Sequence, residues 1–393
     1  MGMEHNVGKR EDNVLDPDGD VTLVLQKHYM VEVPSSSHGH GTPISGGSVG
    51  SGSPIRPVVP GGSTTSAGSV KNMSPSTSRP PSIHTLVLPT ARSPPRLARE
   101  TRLVYAQVSS KHLMLASSVF RAMLRPRASA PRLAEAEALH SNGWVEVPLP
   151  EDDTDAMIIL LNIIHHRYHE VTRAIPRSLL AQVAVLVDKY DLRRSVEFVS
   201  TTWFDNFSLG KKRGGTLLPT KFSDELLEWL FISWVFGDAD IFFSMTRIAM
   251  AQSWCRLDND SLQQFPFPNS LTEMIDHRRQ RGIQKILHVY ETFINRTWGD
   301  GSRIDCPADV PECDAKVLGT LLRAGRKLSI YPIPKAPFPG ISFTDLSRDL
   351  DSVGVPTCGE HYYYNRTDFN EALNTAIKGE FAEGLLLKSF MPR

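Results

Sequence analysis

The fold is decided by one stretch, Val108-Ser109-Ser110-Lys111-His112-Leu113-Met114-Leu115-Ala116-Ser117-Ser118-Val119-Phe120-Arg121-Ala122-Met123-Leu124. Apolar residues recur in it every three to four positions, which is the spacing of one helix face. They are Leu113, Ala116, Phe120, Met123 and Leu124. The pair Ser117-Ser118 can end one short helix and cap the next. We therefore predict two consecutive short helices that place Leu113, Phe120 and Leu124 in a core.

Two apolar runs predict strands before this stretch. Asp20-Val21-Thr22-Leu23-Val24-Leu25 follows an Asp-Pro-Asp-Gly turn, and Leu103–Val108 is a second run of the same kind. Strands this short need a sheet and covering helices, so we expect the two to pair, with Val21 and Leu23 in the core. A third strand is predicted at Trp144–Leu149, where Pro148 ends the strand or marks a sheet edge.

A long insertion separates the first two strands. Of the 66 residues from 34 to 99, 35 are Gly, Ser or Pro and none is Asp or Glu. Such a segment cannot bury enough apolar area to offset its ordering entropy, so we predict that 34–99 is disordered. Loop-closure entropy grows only logarithmically with length, so the strands can still pair across it. The polar residues 1–17 are predicted to be disordered as well.

Helical periodicity dominates the remainder of the chain. Helices are predicted at 154–165, 177–190, 192–204, 224–236, 238–250, 271–296 and 368–387, with a short one near 318–322. The predicted fold class is α+β, a small sheet with covering helices followed by a mostly α-helical C-terminal domain. The predicted domains are 18–33 with 100–204, then a helical domain at 205–330, and finally a Pro-rich segment with a C-terminal helix at 331–393.

This order of elements resembles a BTB/POZ domain. Asp20-Val21-Thr22-Leu23 is similar to the family's strand with its Asp-Val pair, and Val108–Leu124 is similar to its helical pair. Patterns at Val147–Asp153, Leu186–Leu192 and Trp229–Gly237 are similar to those of fungal BTB-containing proteins. The resemblance implies a BTB/POZ-like domain at 18–33 with 100–204. It also implies a non-catalytic protein–protein interaction protein, such as an adaptor or scaffold.

Several features of the family are missing from the sequence. The first twenty residues lack the apolar strand and helix that support strand-exchanged dimers, so self-association is not expected. Neither kelch repeats nor zinc fingers follow the domain, and the sequence leaves open whether the chain binds a cullin. Other proteins are the expected partners, but the sequence does not identify them.

Composition bears on the compartment and on the class of partner. Lys plus Arg and Asp plus Glu each number 43, and this neutral balance disfavours a nucleic-acid or membrane-coating function. Four cysteines are too few for a disulfide scaffold in 393 residues. The N-terminus has no apolar signal region, and the most apolar run, 226–236, is too short for a membrane span. We expect an intracellular protein, nuclear or cytoplasmic.

The densest titratable cluster is His165-His166-Arg167-Tyr168-His169. His165 and His169 stand four residues apart, a spacing that holds a metal when both lie on one helix. A metal-dependent enzyme using this pair is therefore an alternative function. However, His166 occupies the position of the glutamate in zinc proteases, and no third ligand is evident nearby. A structural or solvent-exposed role is the favoured interpretation.

The cysteines offer a second candidate metal site. Cys306, Cys313, Cys358 and His361 could supply four ligands to a structural zinc ion, but the six-residue gap between the first two is wider than usual. Reduced thiols without a metal are favoured, and no cofactor is expected. Outside the insertion at 34–99, neither Gly-x-Ser-x-Gly nor Gly-x-Gly-x-x-Gly occurs, so we predict that the protein is not an enzyme.

Basic residues suggest a third function. The insertion carries six Lys or Arg residues, and Lys211-Lys212-Arg213 and Arg278-Arg279-Gln280-Arg281 form clusters. Together with the BTB/POZ resemblance, these make a transcription- or chromatin-associated regulator a further alternative. On a neutral chain, isolated basic clusters are more often solvated surface.

Overall fold

The structure, a computed structural model, describes residues 10–32, 97–125, 133–212, 218–257, 265–298, 310–356 and 369–391. Within these ranges the chain has four strands and twelve α-helices, which confirms the predicted α+β class. It divides into two compact units, Met1–His28 with Thr101–Arg393, and Tyr29–Glu100. Only the strand ends 29–32 and 97–100 of the second unit are described. The insertion predicted at 34–99 otherwise lies outside the described residues.

The described strands form one sheet. They are β1 (Arg10–Val14), β2 (Val21–Glu32), β3 (Leu97–Val108) and β4 (Val145–Leu149), in the order β1-β3-β2-β4. β2 and β3 are hydrogen-bonded neighbours, as predicted, although the insertion separates them in sequence. β4 runs parallel to β2 with Val147 opposite Leu23, and it lies at a sheet edge, as Pro148 predicted.

β1 corrects the prediction for the N-terminus. Residues 1–17 were predicted to be disordered, but 10–14 pair in parallel with β3 and place Arg10 opposite Leu103. The segment Arg-Glu-Asp-Asn-Val lacks an alternating apolar pattern because its side chains are almost all exposed. Backbone pairing at the sheet edge and the Arg10 guanidinium, 4.1 Å from the Tyr105 ring centroid, hold it in place. β3 also begins at 97, three residues inside the predicted insertion.

Two short helices follow the sheet strand β3. α1 (Ser110–Ala116) and α2 (Ser118–Leu124) are separated at Ser117, as the serine pair predicted. The Ser117 hydroxyl accepts a hydrogen bond from the Phe120 N–H (2.9 Å) and caps α2. The residues predicted for the core are all buried: Val21, Leu23, Leu113, Phe120 and Leu124.

α3 (Ala134–Asn142) was not predicted from the sequence. Only Ala136 of this helix is buried, so its residues do not show an apolar stripe. The helix ends at Gly143, whose φ of 73° is the left-handed conformation that glycine adopts most readily. It packs against α2 and β4, which places it beside the two short helices.

Nine further helices complete the described chain. They are α4 (Thr154–Ile164), α5 (Arg177–Lys189), α6 (Arg193–Lys212), α7 (Asp224–Phe236), α8 (Ala239–Gln252), α9 (Asn269–Trp298), α10 (Pro311–Lys327), α11 (Phe343–Asp351) and α12 (Phe369–Ile377). α10 is longer than the helix predicted near 318–322, and α11 was not predicted. The last helix was predicted to run to 387 but ends at Ile377, because the chain turns at Gly379 (φ 76°).

Two hydrophobic clusters fill the structure. The first extends from the sheet through α4–α8 to the start of α9, so that Leu23 and Phe231 belong to one continuous cluster. The second surrounds the remainder of α9 together with α10, α11 and α12. The predicted boundary between 204 and 205 does not coincide with a gap between clusters, and the domain limits stay a prediction. None of the described helices is both long enough and apolar enough to span a membrane.

Candidate functional site

A groove of about 620 Å³ lies where α1, α2 and α3 meet. Apolar side chains contribute part of its lining: Met114, Leu115, Leu124, Ala136 and Leu139. Ionisable side chains contribute another part: Asp20, Lys111, Arg121, Arg125 and His140. The lining of the groove therefore combines apolar side chains with ionisable side chains that are mostly basic.

The first turn of α1 is attached to the sheet through Asp20. One carboxylate oxygen of Asp20 accepts from the Ser110 N–H and the other from the Ser110 hydroxyl, both at 2.7 Å. A carboxylate at a helix N-terminus is also stabilised by the helix dipole. The acidic residue before β2 thus fixes the position of α1, and both of its oxygens are already hydrogen-bonded.

The other end of α1 is held by Arg121 from α2. The Arg121 Nε donates to the Met114 carbonyl (2.8 Å), and Nη2 lies 3.4 Å from the Leu115 carbonyl. These carbonyls lie at the C-terminal end of α1, where the dipole favours a positive charge. Both ends of α1 are therefore fixed, which gives the groove a rigid wall.

Buried contacts support this wall from behind. Phe120 stacks on Tyr190 with ring centroids 4.5 Å apart, and the buried Ser117 hydroxyl donates to the Tyr190 carbonyl (2.6 Å). The Tyr190 phenol donates to the buried carboxylate of Asp152 (2.5 Å). Burial, and then the bond to Asp152, raises the pKa of Tyr190 above its ordinary value, so the phenol stays protonated. The junction between α1 and α2 is thereby fastened to the end of α5.

Leu115 is the most exposed apolar side chain of the groove. It is 78% exposed, whereas Leu124 and Ala136 in the same groove are buried. A single exposed leucine is common on protein surfaces, but this one borders a concave surface with Met114 and Leu139. Contiguous apolar surface in a rigid groove is typical of a site that a protein partner covers.

His165 has no ring nitrogen free for a metal. Its Nδ1 lies 2.9 Å from the Leu161 carbonyl, which can only accept, so Nδ1 carries the proton. Its Nε2 accepts from the Ser109 N–H at 3.0 Å. Burial, the largest cause, lowers the pKa of His165, and the nearby His112 lowers it further. The residue is therefore a neutral connector between α4 and α1.

His165 and His169 do not lie on one helix, so the spacing on which the alternative metal site depends is absent. α4 ends at Ile164, and His166 has a positive φ of 57° that redirects the chain. The His169 side chain is 74% exposed and its Nε2 lies 3.5 Å from Glu170. His112, in contrast, lies 5.0 Å from His165 between ring centroids. Among the described residues, no cluster of three or more His, Cys, Asp or Glu side chains could hold a metal ion.

Of the candidate cysteine site, only Cys313 lies within the described residues. Cys306, Cys358 and His361 lie outside the described residues. Cys313 is half-buried on α10. The zinc hypothesis for these residues stays a prediction.

A second groove, of about 600 Å³, lies between α9 and the Pro-rich segment. Basic side chains from both elements line it: Arg281, Lys285, His288 and Lys335. Lys285 is paired with Glu380, and Glu291 adds another carboxylate to the lining. The charges of this groove are therefore already partly compensated.

The basic run 278–281 is divided between surface and interior. Arg279 is only 1% exposed and pairs with Asp276 at 3.0 Å. Its guanidinium also donates to the carbonyls of Pro337, Phe338 and Ile341. The neighbouring Arg278 is exposed. This run is therefore not a continuous basic surface.

Comparison with protein-family models, with curated proteins and with solved structures gave no match. The BTB/POZ resemblance accordingly stays a prediction that rests on the residues quoted for it. Sequence reasoning located α1 and α2 but missed the third side of the groove. Ala136, Leu139 and His140 come from α3, and a short helix with one buried residue leaves no apolar periodicity to detect.

Proposed function

We propose that this chain is a non-catalytic protein–protein interaction protein built on a BTB/POZ-like domain, with an adaptor or scaffold role. The groove between α1, α2 and α3 is its proposed binding face. The observation that carries the proposal is the exposed Leu115 on a helix that is fixed at both ends, by Asp20 and by Arg121. A rigid binding surface loses little conformational entropy when a partner binds.

The two alternatives have less support. A metal-dependent enzyme would require the His165 Nε2 to give up the hydrogen bond from the Ser109 N–H that fixes α4 to α1. A transcription- or chromatin-associated regulator would draw on basic surface, but Arg279 of the run 278–281 is buried and paired. The proposal of an intracellular interaction protein is therefore preferred.

Affinity purification with two matched variants tests the proposal. Leu115→Asp places a charge in the groove, while Phe198→Asp does the same on α6, where Phe198 is 85% exposed. We expect Leu115→Asp to reduce the recovery of a defined set of proteins about tenfold or more, as loss of ~1.4 kcal/mol of binding free energy would. Phe198→Asp should retain that set, and both variants should melt like the wild type. Equal recovery by both variants would contradict the proposal.

A further inference from the structure

Most of the ionisable side chains that line the groove between α1, α2 and α3 are basic. Lys111, Arg121 and Arg125 each place a basic side chain in the lining, and the imidazole of His140 lines it as well. Asp20 is the one carboxylate among the described lining residues, and both of its oxygens accept from Ser110. The groove therefore has an excess of positive charge although the whole chain is neutral.

These basic side chains are available to a ligand. Lys111 and Arg125 are exposed, and neither forms an ion pair within the part of the chain that the structure describes. Arg121 uses Nε and Nη2 on the carbonyls of Met114 and Leu115, and its charge is not neutralised by a described carboxylate. Unpaired cations at the rim of a groove favour an anionic partner.

Each short helix places a basic residue next to an apolar one. Lys111 and Leu115 are four residues apart on α1, so they are neighbours along one helix face. Arg121 and Leu124 are three residues apart on α2 and both line the groove. A ligand that contacts both helices must therefore carry acidic groups opposite the basic side chains and apolar groups opposite the leucines, at the same spacing as these residues.

We infer, on the basis of the proposed function, that the groove binds an acidic amphipathic segment of a partner protein. Large apolar side chains of that segment cover Leu115, Met114 and Leu139. Its carboxylates face Lys111 and Arg125. This pattern is met by a helix with apolar residues on one face and Asp or Glu beside them. Electrostatic attraction then sets the association rate and the selectivity, while the apolar contacts supply most of the affinity.

Peptide display on the purified full chain tests this inference. A random peptide library is selected on the wild type, and one enriched peptide is titrated by fluorescence anisotropy. We expect the enriched peptides to be net negative and to contain large apolar residues. Their affinity should fall steeply as NaCl is raised from about 50 to about 300 mM, because exposed ion pairs are screened over this range.

Charge-reversal variants provide the matched comparison. Lys111→Glu combined with Arg125→Glu should weaken binding of the enriched peptide about tenfold or more. Arg247→Glu combined with Lys316→Glu makes the same change in net charge at exposed positions on α8 and α10, and should leave the Kd within about twofold. Glutamate at position 111 is compatible with the N-terminus of α1, so folding should persist.

The possible failures can be distinguished. If Leu115→Asp abolishes binding but the charge-reversed groove binds like its control, the proposed interaction site stands and the acidic ligand is wrong. Enrichment of neutral or basic peptides overturns the acidic ligand in the same way. If none of the groove variants changes the binding of any enriched peptide, both the ligand class and the proposed function are contradicted.

Discussion

Phe120 illustrates how a single residue supports the groove from behind. Its ring is fully buried and stacks on Tyr190, whose phenol bonds to Asp152. The Phe120 backbone N–H meanwhile donates to Ser117, which separates α1 from α2. One residue thus links the apolar core, the helix break and the groove wall.

Phe120→Ala should be strongly destabilising. Removing a buried phenylalanine leaves a cavity and costs roughly 3–5 kcal/mol, against a typical stability of about 5–15 kcal/mol. Phe198→Ala is the matched control, because Phe198 is 85% exposed and its loss should cost less than about 0.5 kcal/mol. Urea denaturation of both variants measures the difference. Equal free energies of unfolding would mean that α2 does not pack on this core.

His165 should make stability depend on pH. Burial lowers its pKa in the folded state below the ordinary value of about 6.5, so the unfolded chain binds the proton more readily. Its stabilising contribution is fully present above about pH 6.5 and is lost as pH falls toward the folded-state pKa. In chemical denaturation at about pH 7.5 and about 5.5, His165→Gln should lose less stability than the wild type.

His169→Gln serves as the control for this measurement. It removes an imidazole whose side chain is 74% exposed, and so controls for the histidine-to-glutamine exchange itself. An identical pH dependence in the wild type and His165→Gln would contradict the assigned role of His165 as a neutral connector.

Among the secondary-structure elements, those that bury much apolar surface were predicted from the sequence, and those that bury little were not. β2, α1 and α2 place a regular apolar pattern against the first cluster, and α7 is apolar on nearly all sides. Each was predicted within a residue or two, apart from the longer C-terminal end of β2. β1 and α3 were missed because edge pairing and a single buried side chain leave no periodicity. Two of the three helices that line the groove, α1 and α2, were therefore predicted, and α3 was not.

The contact between α9 and the Pro-rich segment is made in part by the buried side chain of Arg279. Arg279→Ala leaves the buried Asp276 without its cation and three carbonyls without their donor. Breaking a buried ion pair in this way costs about 3–5 kcal/mol. Arg278→Ala is a close control, because it removes the same charge one residue earlier at an exposed position of α9. Thermal denaturation should separate the two variants, and coincident melting curves would show that the segment is held by other contacts.

At the scale of the whole molecule, residues near the C-terminus pack into the first hydrophobic cluster. Leu385 and Leu387 are buried in it, although the intervening chain belongs to the second cluster. The Leu385 N–H donates to the Thr246 hydroxyl (2.9 Å), and the Trp234 indole donates to the Phe390 carbonyl (3.1 Å). Because a continuous helix to 387 was predicted, the packing of these residues in the first cluster was not expected. An apolar pattern indicates that a residue is buried but not which hydrophobic cluster it joins.

Leu385→Ala should therefore destabilise a core that is distant in sequence. Loss of a buried leucine costs roughly 2–5 kcal/mol, whereas Leu386→Ala, at a side chain that is 56% exposed, should cost little. Hydrogen exchange followed by mass spectrometry would show faster exchange in α8 for the first variant and not for the second. Unchanged protection of α8 in both variants would contradict this coupling.

Site-specific photo-crosslinking in cells tests the proposed interaction function most directly. The photo-reactive residue p-benzoyl-phenylalanine replaces Leu115 in the groove or, as the control, Phe198 on α6, since both side chains are highly exposed. If the groove is the binding face, irradiation should convert the Leu115 derivative into discrete protein adducts that the Phe198 derivative does not form. Absence of adducts from position 115, or the same adducts from both positions, would contradict the proposal that this groove binds other proteins.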